Sequence, residues 1–446
     1  MIDTIYAMAS GPGRSGIAVV RVSGPSAKAS LALFSKDNFQ PRQAVLTKLI
    51  DPHTQSLIDH AIVIYFQPPR SYTGEDVVEY HIHGGKAVKE SLLNALSQCQ
   101  NHRMAEAGEF TRRAFENGRM DLTQAEAVAD LIHAETEAQK QLALSQMGGA
   151  LRDLYTDWSN ELKKSLAYAE AQIDFGEDDL PEEEIKANIH PVLKKVAHQI
   201  QAHLDDDHRG EILRDGIKIA IIGAPNAGKS SLINALAKRD VAIVSDIPGT
   251  TRDILEVHLD LNGIPVKFYD TAGLRPEQLS TENKQDIIEA EGIKRALKIA
   301  KKADFKILLF DGSSGNLHAQ TLEQYDDKSF IVINKSDLNT NINRNDYLFI
   351  SSKTGENIDH FIKNVSRETS SLFEDLSHTP SLTRERHREA LNNALSSINN
   401  ALNENLTADL VSEDIRMAVR YIGKITGKVD VEDLLDIIFR DFCIGK

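Results

Sequence analysis

The chain has 446 residues, a formal net charge of -15, 41% hydrophobic and 26% charged residues. That length exceeds one ordinary core and predicts two to three domains of a soluble globular protein. The acidity excludes a surface that draws nucleic acid by overall charge, so any RNA contact needs a local basic patch or a partner.

The N-terminus, MIDTIYAMAS, has no basic start and no long apolar run, so no signal peptide is expected. Residues 1–118 mix two periods. Gly16–Gly24 and His60–Phe66 read as strands, rich in Val and Ile and closed by Gly or Pro. Gly85–Cys99 reads as an amphipathic helix, so an α+β domain is expected there. The first 120 residues of the chain are near neutral, with 13 Lys/Arg against 11 Asp/Glu. The acidic surplus comes later, in Glu177-Asp178-Asp179, Glu182-Glu183-Glu184 and Asp205-Asp206-Asp207.

The pattern then changes. Leu151, Leu154, Tyr155, Trp158, Leu162, Leu166 and Ile173 recur at three- and four-residue steps, as one core-facing stripe of a long helix. Gly148-Gly149, Gly176 and Pro181 punctuate this region. From 216, the runs IKIAIIG, VKFYD, FKILLFDG, SFIVINKSD and YLFISS are strand candidates of the buried, parallel type. Alternating with helices, they predict a doubly wound α/β sheet. From about 375 the helical period returns in Leu391, Leu395, Ile398, Leu402 and Leu406. Asp430 then reads as an N-cap, with Asp433 three residues on. The economical reading is one helical domain interrupted by an inserted α/β domain; two separate helical domains are the alternative. No apolar stretch reaches the about 18 residues of a membrane span, and two cysteines, Cys99 and Cys443, suit a reducing cytoplasm rather than a disulfide framework.

The chemistry is written at the strand ends. GAPNAGKS, Gly223 to Ser230, follows one strand and opens a helix, which is the strand-loop-helix setting of a P-loop. Its glycines let backbone N–H groups close on phosphate oxygens, with Asn226, Ala227, Gly228 and Ser231 in the same wrap. Lys229 supplies charge to the β and γ phosphates, and Ser230 offers a hydroxyl to Mg²⁺. DTAG (Asp270, Thr271, Ala272, Gly273) ends the strand VKFYD, where Asp270 can hold Mg²⁺ through water and Gly273 can meet the γ-phosphate.

NKSD (Asn334, Lys335, Ser336, Asp337) moves the reading from nucleotide to GTP. A carboxylate at Asp337 accepts from two guanine donors that adenine lacks, a mismatch able to discriminate by roughly 10⁴. SSK (Ser351, Ser352, Lys353) would complete the guanine pocket with backbone N–H groups. SDIPGTTRD, containing Ser245, Asp246, Ile247, Pro248, Gly249, Thr250 and Thr251, reads as a switch loop with a Thr hydroxyl on Mg²⁺. After DTAG stands Leu274, which cannot orient water as a glutamine would.

Together GAPNAGKSSLINAL, DIPGTTRD, DTAGLR, TGEDVVEYHIHGG, NGRMDLTQAEAV and the terminal CIGK resemble the bacterial tRNA-modification GTPase family MnmE (TrmE), over nearly the whole chain. The resemblance implies an N-terminal tetrahydrofolate-binding, dimerising domain at 1–118, and an all-α helical domain at 119–215 and 375–446. Between its halves it implies an inserted Ras-like G domain at 216–374. It implies a homodimer that joins the flavoprotein MnmG (GidA) in a heterotetramer, with FAD on that partner and not on this chain. The complex installs a carboxymethylaminomethyl or aminomethyl group on the wobble uridine (U34) of certain tRNAs in the cytoplasm. The one-carbon unit comes from 5,10-methylene- or 5-formyl-tetrahydrofolate.

Further residue roles rest on this resemblance alone. K⁺, standing where an arginine finger would, falls to Asn226, Ser245, Ile247 and Thr250, although Asn226 also reads as a simple turn former. Mg²⁺ falls to Ser230 and Thr251. The water-orienting glutamate is Glu289, with Glu291 as the alternative because RPEQLSTENKQD lengthens the segment before it. Folate falls to Arg21, Glu79, Arg119 and Lys446, with Arg119 where the family commonly has Lys. Cys443 is either a nucleophile or a positioning residue beside the folate. Two other readings compete: a regulatory GTPase of ribosome assembly, and a folate enzyme whose G domain is a relic. The flanking domains argue against the first, and intact Lys229, Thr251, Asp270 and Asp337 against the second.

Overall fold

The computed structural model describes residues 3–11, 13–175, 182–243, 256–270, 302–314, 316–338, 342, 347–373, 380–403, 407–429, 432–440, 442 and 445. By contacts the chain forms two compact units: Met1–Ala129 with Gln146–Ala197 and Ala390–Lys446, and Asp130–Ser145 with His198–Glu389.

In the first unit, β1 (Thr4–Met8), β2 (Ala18–Ser23), β3 (Ala44–Ile50), β4 (Leu57–Phe66), β5 (Val77–Ile82) and β6 (His102–Met104) form a sheet in the order β3-β4-β5-β2-β1-β6. All neighbours are antiparallel except β1 and β6. Val20, Val22, Val63, Tyr65, Val78, Tyr80 and Ile82 share one core with Leu31, Phe34, Leu92 and Leu96 of the helices Ala27–Phe34 and Lys86–Ser97. The two-residue period then turns Arg21 to the opposite face from Val20 and Val22. There it stands directly across from Glu79 in register.

Helix Ala150–Phe175 carries the stripe read from the sequence. Leu151, Tyr155, Trp158 and Leu162 are buried, but Ile173 at its far end is exposed. Helix Ala408–Thr426 runs beside it, tied by Arg416 to Glu170 and by Lys428 Nζ to Thr156 Oγ1. Leu391 and Ile398 of helix Glu385–Ala401 are buried as the period requires, while Leu395 is only partly covered. Helix Glu432–Arg440 brings Leu435 and Phe439, with Phe442 beyond it, onto Leu122 and Ala125. Asp430, expected as its N-cap, and Leu406 lie outside the described residues.

In the second unit, β7 (Ile217–Ile222), β8 (Glu256–Leu261), β9 (Ile264–Asp270), β10 (Phe305–Asp311), β11 (Ser329–Asn334) and β12 (Leu348–Phe349) run in the order β12-β11-β10-β7-β9-β8. Only β8 is antiparallel to its neighbour. Apolar residues of β7, β9, β10 and β11 bury against Leu232, Ile233 and Leu236 of helix Lys229–Ala237 and Phe361 and Val365 of helix Ile358–Ser371. Leu308, Phe310 and Ile333 form a core on the other face. Burial on both faces explains why these strands read as continuous apolar runs. β7 is the first strand in sequence yet sits centrally between β10 and β9, so the chain reverses its winding there and opens a crevice at the strand ends.

Candidate nucleotide site and a second polar site

Three of the predicted motifs reach that end of the sheet among the described residues: the loop after β7, the loop after β11 and the loop after β12. After β7 the chain turns through Asn226 at φ +65° and Gly228 at φ +97°, both left-handed, before helix Lys229–Ala237 begins. Two glycines are demanded by crowding as well as by torsion. A Cβ on Gly228 would collide with Asn334 Nδ2, and one on Gly223 with the Leu309 carbonyl. Lys229 is buried and donates to the carbonyls of Gly223 (2.7 Å) and Ala224 (3.0 Å). Burial pulls its ammonium pKa below the ordinary lysine value, opposed by the nearby Asp270 carboxylate. Ser230 Oγ donates to Asp270 Oδ2 at 2.7 Å, which brings together two oxygens of the hard type that Mg²⁺ takes.

Asn334, buried at the end of β11, braces three loops. Its Nδ2 donates to the Ala227 carbonyl (2.9 Å), and its Oδ1 accepts from Ser352 N and Oγ (both 3.0 Å). Lys335 holds a left-handed backbone and reaches Asp311 Oδ2 at 2.5 Å. In the sequence, Asp311 carries no signal beyond its place at the end of the strand FKILLFD. Asp337 is exposed, and Ser351 Oγ donates to its Oδ1 at 2.7 Å, fixing the carboxylate at the mouth of the crevice. The N–H groups of Ser351 and Ser352 donate to Glu356 O and Asn334 Oδ1, so those two are engaged within the protein.

The structure therefore gathers Asn226, Ala227, Gly228, Lys229, Ser230, Ser231, Asp270, Asn334, Lys335, Asp337, Ser351, Ser352 and Lys353 on loops, a helix start and strand ends at one end of this sheet. Ser245 to Thr251, Thr271 to Leu274, Glu289, Glu291, Cys443 and Lys446 lie outside the described residues.

A second polar site stands in the first unit. Arg21 Nε donates to Glu79 Oε1 at 2.9 Å, and its guanidinium stacks over Tyr72 (5.1 Å) and Phe110 (5.7 Å). Its Nη1 is buried without a hydrogen-bond partner, a donor left to meet something else. Arg119 is exposed, and its stem lies 3.2 Å from where a Cβ on Gly74 would sit. Gly74 shares its loop with Tyr72, so one loop touches both arginines. Gly445 has φ +99°, and a Cβ there would run into the Met8 carbonyl. Met8 adjoins Ala7, the partner of Arg21 across β1 and β2. The terminal CIGK thus has a packing reason for its glycine that no sequence pattern supplied.

Comparison with known proteins agrees along the chain. The family model described as the GTP-binding protein TrmE N-terminus matches residues 4–119. The model described as the MnmE helical domain matches residues 122–443. The tRNA modification GTPase MnmE of Parvibaculum lavamentivorans is 50% identical over 450 residues, covering 100% of both chains. That of Rickettsia bellii is 46% identical over 456 residues, again covering 100% of both. The chain belongs to the MnmE family of tRNA modification GTPases. Its multidomain architecture is that of MnmE: an α+β N-terminal domain, helical segments and an α/β P-loop G domain. Among solved structures, Era of Aquifex aeolicus aligns with 42% of this chain and 68% of its own, at 21% identity and a TM-score of 0.26.

Proposed function

We propose that this chain is a K⁺-dependent GTP hydrolase that acts with the flavoprotein MnmG on the wobble uridine of certain tRNAs, using a tetrahydrofolate one-carbon unit. Full-length likeness to proteins named tRNA modification GTPase MnmE makes the coarser part plain: the chain is a GTPase of tRNA modification, and the ribosome-assembly reading is not favoured. The observation that carries the nucleotide half is the convergence of Lys229, Ser230, Asp270 and Asp337 at one sheet end, braced by Asn334. When bound, Mg²⁺ neutralises phosphate charge; Ser230 and Asp270, with Thr251, would hold it. Lys229 exchanges loop carbonyls for phosphate oxygens, and Asp337 reads guanine. Asn226, exposed on its left-handed turn, has the amide oxygen a K⁺ site needs. Ser245, Ile247 and Thr250 complete that set in our reading, and Glu289 orients water where Leu274 cannot.

The folate assignment is supported by the orphaned Nη1 of Arg21 beside the Glu79 carboxylate. A cation suits an anionic tail and a carboxylate suits pterin donors. Arg119, Lys446 and Cys443 join this site in the proposal, within the partition 1–118, 119–215, 216–374 and 375–446. A homodimer is supported by an exposed apolar strip on β3 and β4, where Leu46 stands across from Ile62 and Ile50 across from Leu57. Among the described residues no helix is long and apolar enough to cross a membrane; action in the cytoplasm is part of the proposal.

Two measurements test the reading. GTP hydrolysis is expected to rise strongly in K⁺ over Na⁺ at equal ionic strength, and equal rates would overturn the K⁺ assignment. Mass analysis of tRNA nucleosides from cells lacking this chain should show loss of the wobble-uridine modification; an unchanged profile would overturn the substrate.

A further inference from the structure

Strands β8 and β9 form a hairpin with one end at the nucleotide site. Asp270, which accepts from Ser230, is the last residue of β9, and its neighbour Tyr269 stands across from Glu256, the first residue of β8. The other end turns at Asn262 and Gly263, both left-handed. In the same compact unit, residues 135–138 hold this hairpin in two places. Ala138 N donates to the Gly263 carbonyl at 3.2 Å, so the turn is fixed. Halfway along, His258 Nδ1 meets Glu135 Oε2 at 3.1 Å, while its Nε2 meets Glu256 Oε1. A neutral imidazole donates from one nitrogen only, so a ring bonded to carboxylates at both nitrogens is an imidazolium. The groups around it are Glu135, Glu256, Lys267 across the ladder, His133 near Glu135, and Tyr269 beside Glu256.

We infer that Glu135, His258 and Glu256 form a positioning relay, through which residues 130–145 hold the Asp270 end of the β8–β9 hairpin in the geometry that GTP hydrolysis needs. His258 touches no reacting atom. It acts by fixing Glu256, whose cross-strand partner adjoins Asp270. The inference rests on the GTPase reading above. It adds a route by which the segment 130–145 and the nucleotide site sense one another.

The test is steady-state GTP hydrolysis by the full chain in K⁺ and Mg²⁺ from pH 6.5 to 10, with GDP affinity measured beside it. His258→Gln should lower kcat by roughly ten-fold with GDP affinity little changed. The wild-type rate should fall along an alkaline limb near pH 9, where the two carboxylates hold the imidazolium. That limb should vanish in His258→Gln and move to lower pH in Glu135→Gln. His258→Lys, which keeps a cation between the carboxylates, should restore rate and carry the limb higher. Wild-type kcat and an unmoved limb in both neutral variants would overturn the relay. Should His258→Gln fail to fold, Glu135→Gln decides alone, its limb moved or unmoved. A wild-type chain that hydrolyses no GTP would instead overturn the GTPase reading itself.

Discussion

The two polar sites are built in opposite ways. In the nucleotide site each loop follows its own strand directly, and each motif is a run of neighbours in sequence. In the Arg21–Glu79 site the residues are 58 positions apart, joined by strand register, with Gly445, next to last in the chain, packed on β1. A site made of local motifs should depend first on its own glycines and cations, and less on distant contacts. The register-built site should behave in reverse.

Substitutions can break that contrast. The largest effect is expected from Lys229→Ala, which removes the buried P-loop cation that we propose meets the phosphates. Turnover measured by phosphate release should fall by roughly 10³ or more, because a preorganised charge at the reacting group is lost. Asp337→Ala should come next, lowering GTP affinity by roughly 10² or more and erasing preference over ATP in competition binding. Gly228→Ala sets a Cβ against Asn334 and forces φ +97° on an alanine. A loss of about 2 kcal/mol in denaturant unfolding is expected, with nucleotide binding weakened at the same time. Arg21→Gln should weaken folate binding by roughly ten-fold while leaving GTP turnover unchanged. Were turnover to fall with it, the two sites would not be separable.

The smallest effect concerns pH. The carboxylates of Glu135 and Glu256 raise the His258 pKa to about 9. A raised folded-state value means that its stabilisation is complete below the unfolded value of about 6.5 and is lost as pH rises through about 9. Thermal unfolding should therefore shift slightly downward between pH 6.5 and 9.5, and His258→Gln should flatten that slope.

Much of the fold was legible. The runs beginning at Ile217, Phe305 and Ser329 were readable because both faces are buried, leaving unbroken apolar sequence. β3, by contrast, carries exposed Leu46 and Ile50, which blur the alternation that would mark a half-buried strand. Residues 130–145 read as part of a helical region, yet Glu135 and Ala138 bind the β8–β9 hairpin. Asp311 was invisible as a site residue because its partner, Lys335, is 24 positions away.

The sequence by itself determined the GTP-directed chemistry. The P-loop and NKSD place their donors and acceptors through local backbone geometry, which neighbouring residues dictate, and Asp270 is set by the end of β9. Tertiary structure alone decided which distant groups meet: Arg21 with Glu79, Gly445 with Met8, Asn334 with Ala227 and Glu135 with His258. Register, strand order and close packing set those meetings, and none of them leaves a period or a spacing in the chain.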